Sequence, residues 1–184
     1  MNKVDAKFIE ACSEGSLNNV GYFLLSSDLK KNADIHANDD EGLKCACEEG
    51  NLEVVKYLLT SPELKEHANI YANDCIGFQI ACKYNHVDIV EYLHSSQDLD
   101  EHADIYSNNF YGFRSACIHN HVEVVKYFIF NAQMKLNKEI RDFLRGGREA
   151  GEAILQMFKN RDLEKKLRTT LKASSNEKRV FTKI

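Results

Sequence analysis

Small and apolar residues recur along most of this chain at a constant interval of 35 residues. The dipeptide Ala-Cys shows the interval most clearly, at residues 11–12, 46–47, 81–82 and 116–117. Within the second copy, apolar residues fall on one helical face at i, i+3, i+6 and i+7: Leu52, Val55, Leu58 and Leu59. A fixed interval of this length is the sequence signature of a repeat architecture, in which each unit buries its apolar face against the next.

The residue pattern within each copy predicts two short helices joined by a tight turn. The first helix of the chain starts within residues 2–10, with Val4, Phe8 and Ile9 as its apolar face. Gly and Asn tolerate the left-handed conformation that follows a helix, and one of them marks the turn in each copy: Gly15, Gly50, Asn85 and Asn120. The second helices are predicted at residues 17–25, 52–59, 87–94 and 122–129. Tyrosines recur there, and we expect their rings to pack between repeats with the hydroxyls at the surface: Tyr22, Tyr57, Tyr92 and Tyr127.

Polar segments connect the helix pairs. After each second helix we expect one extra short helical turn, held down by a leucine at a constant register: Leu29, Leu64 and Leu99. An extended segment rich in the turn residues Asn and Asp follows at residues 33–38, 68–73 and 103–108. A glycine then leads into the next first helix, at Gly42, Gly77 and Gly112.

The pattern fades after residue 131. Residues 137–144 and 149–158 predict two helices around Gly146 and Gly147, and residues 162–172 predict a further helix. We therefore expect an all-α chain. Its predicted parts are a repeat array at 1–134 (about 5–38, 39–73, 74–108 and 109–134), a divergent helical cap at 135–172 and a mobile basic tail at 173–184. Solenoids need such a cap to close an exposed end.

Charge is distributed unevenly along the chain. Residues 1–134 contain 10 Lys and Arg against 21 Asp and Glu, and residues 135–184 contain 14 against 7, so charges of −11 and +7 give the net −4. One interpretation of the basic C-terminal region is a solvated cap and tail. The other is an electrostatic contact with an acidic partner or with the array itself. The absence of an apolar run of about 18 residues excludes a membrane-spanning helix.

We expect none of the six cysteines to form a disulfide, and free thiols fit a reducing compartment. Four of them share one repeat position, which predicts small buried core residues. Stacked helices lie about 8–10 Å apart, whereas a disulfide requires Cα atoms within about 7 Å. The N-terminus lacks the apolar stretch of a cleaved leader. We expect a cytoplasmic protein, with export into a host cell left open.

The recurring segments, from Ala-Cys-Glu-Glu-Gly-Asn-Leu-Glu-Val-Val-Lys-Tyr-Leu-Leu to the Ala-Asp-Ile and Ala-Asn-Ile elements, resemble those of ankyrin repeat proteins. The resemblance covers about residues 5–133 and implies a helical solenoid of four helix-turn-helix repeats with short fingers. The repeats depart from the usual length of about 33 residues, with a shortened finger and a lengthened connector. The family's Thr-Pro-Leu-His is replaced, so its turn-steadying hydrogen bonds are missing. This divergent style resembles ankyrin proteins of intracellular bacteria and giant viruses.

The resemblance implies that the chain binds a partner protein through its finger and first-helix residues. As a bacterial or viral effector or inhibitor, it would act on a host or competitor protein. The implied positions in the second copy are Asp39, Asp40, Glu41, Lys44, Glu48 and Glu49. In the third copy they are Asp74, Cys75, Ile76, Gln79, Lys83 and Tyr84. In the fourth copy they are Asn109, Phe110, Tyr111, Arg114, Ile118 and His119. Aromatic and Arg residues are common binding hot spots, so Tyr84, Phe110, Tyr111 and Arg114 form the expected centre. The alternative is that Phe110 and Tyr111 pack against the cap.

The sequence gives less support to catalysis, metal binding or nucleic-acid binding. No phosphate loop, nucleophile elbow or metalloprotease motif is present, so we expect no enzyme and no cofactor. His86, His119 and His121 lie near repeated cysteines, but a zinc site needs four convergent ligands, so we expect no metal. The basic residues of 159–183 could contact phosphates, yet the acidic array and the lack of a nucleic-acid module disfavour that function. We expect a monomer that does not bind membranes.

Overall fold

The computed structural model describes residues 2–26 and 32–181, with side chains at all of these except 148–149 and 170–181. The helices are α1 (Lys3–Ser13), α2 (Leu17–Leu25), α3 (Ala37–Glu49), α4 (Leu52–Thr60), α5 (Ala72–Lys83), α6 (Val87–Ser95), α7 (Ser107–Ile118), α8 (Val122–Lys126), α9 (Lys138–Gly146) and α10 (Arg148–Phe181). A π-helical turn, Tyr127–Asn131, follows α8. The described ranges contain no β-strand, which confirms the expected all-α class. None of these helices is both long and apolar enough to cross a membrane.

The chain divides into two compact units, Met1–Phe128 and Ile129–Ile184. In the first unit, α1, α3, α5 and α7 pack in sequence against one another, and each also packs against the helix that follows it. The second helices of the repeats form a parallel row. The core between the rows repeats every 35 residues, as at the buried positions Phe8, Leu43, Phe78 and Phe113. This is the helical solenoid that the period predicts.

Neighbouring first helices approach so closely that their contact leaves no room for a side chain at one position. A Cβ added at Gly42 would lie 2.7 Å from Cε1 of the buried Phe8 and 3.3 Å from Sγ of Cys12. The equivalent Cβ at Gly77 would lie 3.1 Å from Sγ of Cys47. The repeated cysteine and the glycine 30 residues after it are thus the two sides of one helix interface.

Side chains at a second repeated position bridge each repeat to the one before it. Asn51 donates from Nδ2 to the carbonyl oxygens of Cys12 and Ser13, at 2.9 and 2.7 Å. His86 donates from Nε2 to the carbonyl of Glu48 at 2.8 Å, and His121 does the same to Lys83 at 2.7 Å. The last carbonyls of a helix lack partners within the helix. These bonds supply those partners and tie consecutive repeats together.

The helices α3, α5 and α7 each open on a left-handed turn. The segments before them, predicted as extended at 33–38, 68–73 and 103–108, contain a hydrogen-bonded turn instead, as where the N–H of Ala37 donates to the carbonyl of Asp34. Three consecutive residues in each copy have φ between 47° and 62°: Asn38–Asp40, Asn73–Cys75 and Asn108–Phe110. Residues other than Gly adopt this conformation at a cost of about 1–2 kcal/mol each, and Asn and Asp bear it best because their short polar side chains bond locally. The sequence shows this preference, since Asn or Asp fills most of these positions.

The third residue of each left-handed turn is buried, and Asp40 anchors the next repeat. Asp40 is only 5% exposed, and its Oδ1 accepts a hydrogen bond from the backbone N–H of Asn69 at 2.8 Å. Nδ1 of His36 lies 3.0 Å from the same oxygen. One repeat earlier, Asp5 accepts in the same way from the N–H of Asp34. This bond provides a side-chain anchor where the sequence lacks the Thr-Pro-Leu-His pattern.

The second and third lengthened connectors form hydrogen-bonded turns and not the predicted helical turns. The N–H of Leu64 donates to the carbonyl of Ser61, and the N–H of Leu99 donates to that of Ser96. Both leucines are half-buried, as expected. Leu29 lies outside the described residues.

The expectation of surface hydroxyls is wrong for two of the four repeated tyrosines. Tyr92 is 7% exposed and Tyr127 is 5% exposed, whereas Tyr22 is 57% exposed. The hydroxyl of Tyr127 lies 2.8 Å from Nδ1 of His94 and 3.2 Å from Oγ of Ser95. Burial raises the pKa of Tyr127. Tyr57, Tyr92 and Tyr127 each contact the second helix of the preceding repeat, at Gly21, Lys56 and His94.

The second unit is built on α9 and α10. Its core includes Ile140, Leu144, Leu155 and Phe158, all buried as their spacing predicts. Arg161 is also buried and donates from Nη1 to the carbonyl oxygens of Ile129 and Met134. The predicted helix at 162–172 is part of α10, which continues to Phe181 through most of the predicted tail. Residues 182–184 lie outside the described part.

The Gly42→Ala variant is expected to lower the free energy of unfolding by about 1–2 kcal/mol, because overpacking costs about 1–3 kcal/mol and helix propensity returns up to about 1 kcal/mol. Gly21→Ala is the matched control, since its added Cβ would lie 3.3 Å from the terminal hydroxyl of Tyr57. That variant should be at least as stable as the parent chain. Urea unfolding followed by circular dichroism measures both changes. Equal stability of the two variants would contradict the close approach at Gly42.

The left-handed turns predict opposite effects of two substitutions at Asn109, which is exposed and has φ 55°. Asn109→Val should lower the free energy of unfolding by about 1–2 kcal/mol, because a β-branched residue is strained at positive φ. Asn109→Gly should leave it unchanged or raise it, since Gly adopts this conformation without strain. Thermal unfolding of both variants compares them directly. A valine variant as stable as the glycine variant would refute the left-handed assignment.

Candidate functional site

The first helices of the second to fourth repeats present one face away from the second row of helices. Most of the predicted binding residues lie on this face, partly or fully exposed: Asp39, Glu41, Lys44, Glu48, Glu49, Asp74, Ile76, Lys83, Tyr84, Asn109, Tyr111, Arg114, Ile118 and His119. We call these residues the first-helix surface. Since α3, α5 and α7 pack consecutively, equivalent positions of neighbouring repeats lie next to one another.

Four predicted binding residues are buried, so the expectation of an accessible side chain is wrong for them. Asp40, Cys75 and Phe110 share one register, the inward third residue of the left-handed turn, and are 5%, 2% and 4% exposed. Gln79 is 1% exposed. Its Nε2 donates to the carbonyl of Asp74 at 2.6 Å, and its Oε1 accepts from Asn108. These residues hold the finger turns in place, and a partner would not contact them.

The second repeat forms an acidic end of the first-helix surface. Glu41 Oε1 accepts from Nζ of Lys44 at 2.6 Å, and this hydrogen bond raises the pKa of Lys44. The thiol of Cys45 donates to the same carboxylate at 3.8 Å. Asp39, Glu48 and Glu49 leave this end with a surplus of negative charge. Cys45 was not predicted here; it lies one helical turn after Glu41, and that spacing is the signal that could have found it.

The third and fourth repeats form an apolar, aromatic and basic end. Ile118 is 64% exposed, the highest fraction among the large apolar side chains of the described residues. Tyr84 and Tyr111 are 43% and 40% exposed. Nζ of Lys83 lies 4.9 Å from the ring centre of Tyr84, within range of a cation–π interaction. The guanidinium of Arg114 lies 5.9 Å from the ring centre of the buried Phe110, which holds Arg114 on this face.

The histidines on this side have structural hydrogen bonds. His119 and His121 stack with ring centres 5.7 Å apart. Nδ1 of His119 bonds to the carbonyl of Ser115 at 2.9 Å, and Nε2 of His121 bonds to that of Lys83. Within the part of the chain that the structure describes, no three His, Cys, Asp or Glu residues are grouped to hold a metal ion.

The thiols are poorly suited to nucleophilic chemistry. All six cysteines are free, and four of them are buried. Burial is the main cause that raises the pKa of each thiol, to about 11 for Cys45 and about 12 for Cys117. Since the thiolate is the nucleophilic form, these residues remain largely protonated near neutral pH. Their chemistry agrees with the packing role of the repeated position.

Comparison with known proteins identifies the repeat. The family model described as ankyrin repeats matches three copies over residues 8–109, more than half of the chain. No curated protein and no solved structure gave a significant match. Ankyrin repeats are generally protein–protein interaction modules, as the stacked helix pairs and the exposed first-helix surface would allow. From the 35-residue period, the helical solenoid and this match, the chain belongs to the ankyrin repeat family.

Proposed function

We propose that this chain is a non-enzymatic protein whose partner protein docks on the first-helix surface, centred on α5 and α7. The observation that carries the proposal is the exposure of Tyr84, Tyr111 and Ile118 together with two cations, Lys83 and Arg114, on neighbouring helices. Contiguous exposed apolar groups rimmed by polar residues mark interaction sites. Aromatic and Arg side chains supply most of the binding energy in such interfaces.

The charge along the first-helix surface restricts the partner. One end is acidic, with Asp39, Glu48 and Glu49, and the other carries Lys83 and Arg114. Complementary potentials govern the orientation and association rate of protein complexes. The partner therefore presents basic groups to the second repeat, and apolar and acidic groups to the third and fourth. The resemblance of the repeats to ankyrin proteins of intracellular bacteria and giant viruses favours a host or competitor protein met in a cytoplasm.

The test compares two double variants in affinity purification from the native host. Tyr111→Ala with Ile118→Asp should remove at least one specific partner, because it deletes two exposed apolar anchors. Tyr22→Ala with Val122→Asp is the matched control, since Tyr22 and Val122 are 57% and 54% exposed on second helices. Quantitative mass spectrometry measures what each variant retains, and both should keep the melting temperature of the parent chain.

Two results would contradict this surface. One is that both double variants lose the same proteins, which would point to a nonspecific effect of exposed charge or lost aromatic area. The other is that the Tyr111 and Ile118 variant keeps every specific protein that the parent chain binds. Substitution of Phe110 is not suitable for this test because the residue is buried and its loss would destabilise the fourth repeat.

A second candidate function is electrostatic binding of an acidic partner or nucleic acid by the C-terminal unit. The exposed segment of α10 at residues 162–169 carries Lys165, Lys166 and Arg168 as well as Leu163 and Leu167, which are 61% and 60% exposed. Arg161 does not contribute to this segment's exposed charge, because it is buried and bonded to backbone carbonyls. An exposed basic segment with apolar side chains is suited to an anionic surface.

This second function predicts a steep salt dependence. Binding of a short DNA duplex or a polyglutamate peptide should weaken about tenfold or more from about 50 to about 200 mM salt, since released counterions dominate such contacts. Lys165→Glu, Lys166→Glu and Arg168→Glu together should abolish it. Lys3→Glu, Lys7→Glu and Lys126→Glu, three exposed positions of the array, form the control. Fluorescence polarisation that is flat with salt, or a loss with the control variant, would refute this function.

A further inference from the structure

A groove occurs at two successive positions beside the lengthened connectors. One groove of about 540 Å³ lies between the second connector and residues that include Ser26 and Asn32, and another of about 450 Å³ lies between the second and third connectors. Every residue that lines the second groove stands 35 residues after a residue that lines the first. The two grooves are therefore the same structural feature in consecutive copies, produced by the connector in which this chain departs from the usual repeat length.

Each groove has an apolar floor. Ile35 and Ile70 are equivalent floor residues and are 7% and 8% exposed. The half-buried leucines of the connectors, Leu64 and Leu99, close one side. Such a floor accepts the methylene stem of a long side chain, which gains from apolar contact while its charged end stays near water.

The rims of the grooves are acidic. Exposed Glu63 and Glu66 line the first groove, with Lys65 between them. Asp98, Asp100 and Glu101 line the second groove, and no Lys or Arg is among its described lining residues. An apolar floor under a carboxylate rim matches the two parts of a Lys or Arg side chain. Charge complementarity thus selects a cationic occupant over an anionic or neutral one.

The spacing of the grooves selects the form of the occupant. Stacked helices of neighbouring repeats lie about 8–10 Å apart, so equivalent grooves are separated by about that distance. A polyproline II chain rises about 3.1 Å per residue with three residues per turn, so every third side chain points the same way at a spacing of about 9 Å. An α-helix returns to nearly the same face after seven residues, about 10.5 Å along its axis, and a strand after two residues, about 6.6 Å, so the polyproline II spacing lies nearest the middle of the expected range.

We propose that the connector grooves form a second binding surface, for an extended, proline-rich segment of a partner protein that carries Lys or Arg at every third residue. Consecutive cations occupy consecutive grooves, with their stems on the isoleucine and leucine floor and their charged ends on the acidic rims. This surface is separate from the first-helix surface, since it is built from connectors and the ends of second helices. It does not depend on the function proposed for the first-helix surface.

The proposal is tested with the full chain and a fluorescein-labelled peptide of four Lys-Pro-Pro units. A peptide of the same composition with its four lysines contiguous is the ligand control. Fluorescence polarisation should show that the spaced peptide binds more tightly. Asp98→Asn, Asp100→Asn and Glu101→Gln together should weaken its binding about fivefold or more, because each exposed ion pair contributes roughly 0.2–1 kcal/mol.

A matched variant separates the groove from net charge. Glu53→Gln, Glu91→Gln and Glu123→Gln remove the same number of carboxylates from the exposed side of the second helices, and this variant should bind the spaced peptide as the parent chain does. The Tyr111→Ala and Ile118→Asp variant should also bind it normally. Absence of binding, equal binding of the two peptides, or equal weakening by the two carboxylate variants would overturn the proposal. Circular dichroism confirms that each variant remains folded.

Discussion

The architecture depends on how closely one first helix can approach the next. The repeated cysteine on one side and the glycine on the other set that distance, as the position of Gly42 against Phe8 and Cys12 shows. A thiol is small and apolar when buried, and glycine adds nothing to its side of the contact. Because the distance is the same in every copy, the second helices, the finger turns and the connectors also recur at a fixed spacing. Both candidate binding surfaces inherit their geometry from this contact.

Hydrogen bonds complement that packing in both directions along the array. Asn51 and His86 reach back to the carbonyl ends of the preceding first helices, while Asp40 reaches forward to the backbone of the following turn. The second repeat is thereby held to both of its neighbours by polar groups that would otherwise be buried without partners. In repeat proteins, stability is approximately a sum of intrinsic repeat terms and nearest-neighbour interface terms, and these bonds belong to the interface terms.

The sequence predicts the features that depend on spacing, and it misses those that depend on the direction of a side chain. The helix pairs, the buried Ala-Cys positions and the turns at Gly15 and Gly50 follow from local pattern and residue chemistry. Asn and Asp at 38–40 indicate a turn, but not that three successive left-handed residues rotate Asp40 into the interior. Phe110 was wrongly expected on the binding surface, because the sequence does not show that a left-handed turn rotates this residue into the interior as well. Tyr111 and Ile118 are exposed as expected, since ordinary helical periodicity locates them, and their contact with a partner stays a prediction.

The same cysteine–glycine contact recurs between consecutive repeats, and this recurrence has a consequence for the number of repeats in the array. Cys12 meets Gly42 in the way that Cys47 meets Gly77. If one 35-residue unit were lost, Cys12 would face Gly77 and find the same small surface. Duplication of a unit would likewise repeat the same cysteine–glycine contact. Copy number can therefore change in evolution while this contact is kept, and each change would add or remove one segment of the first-helix surface and one connector groove together.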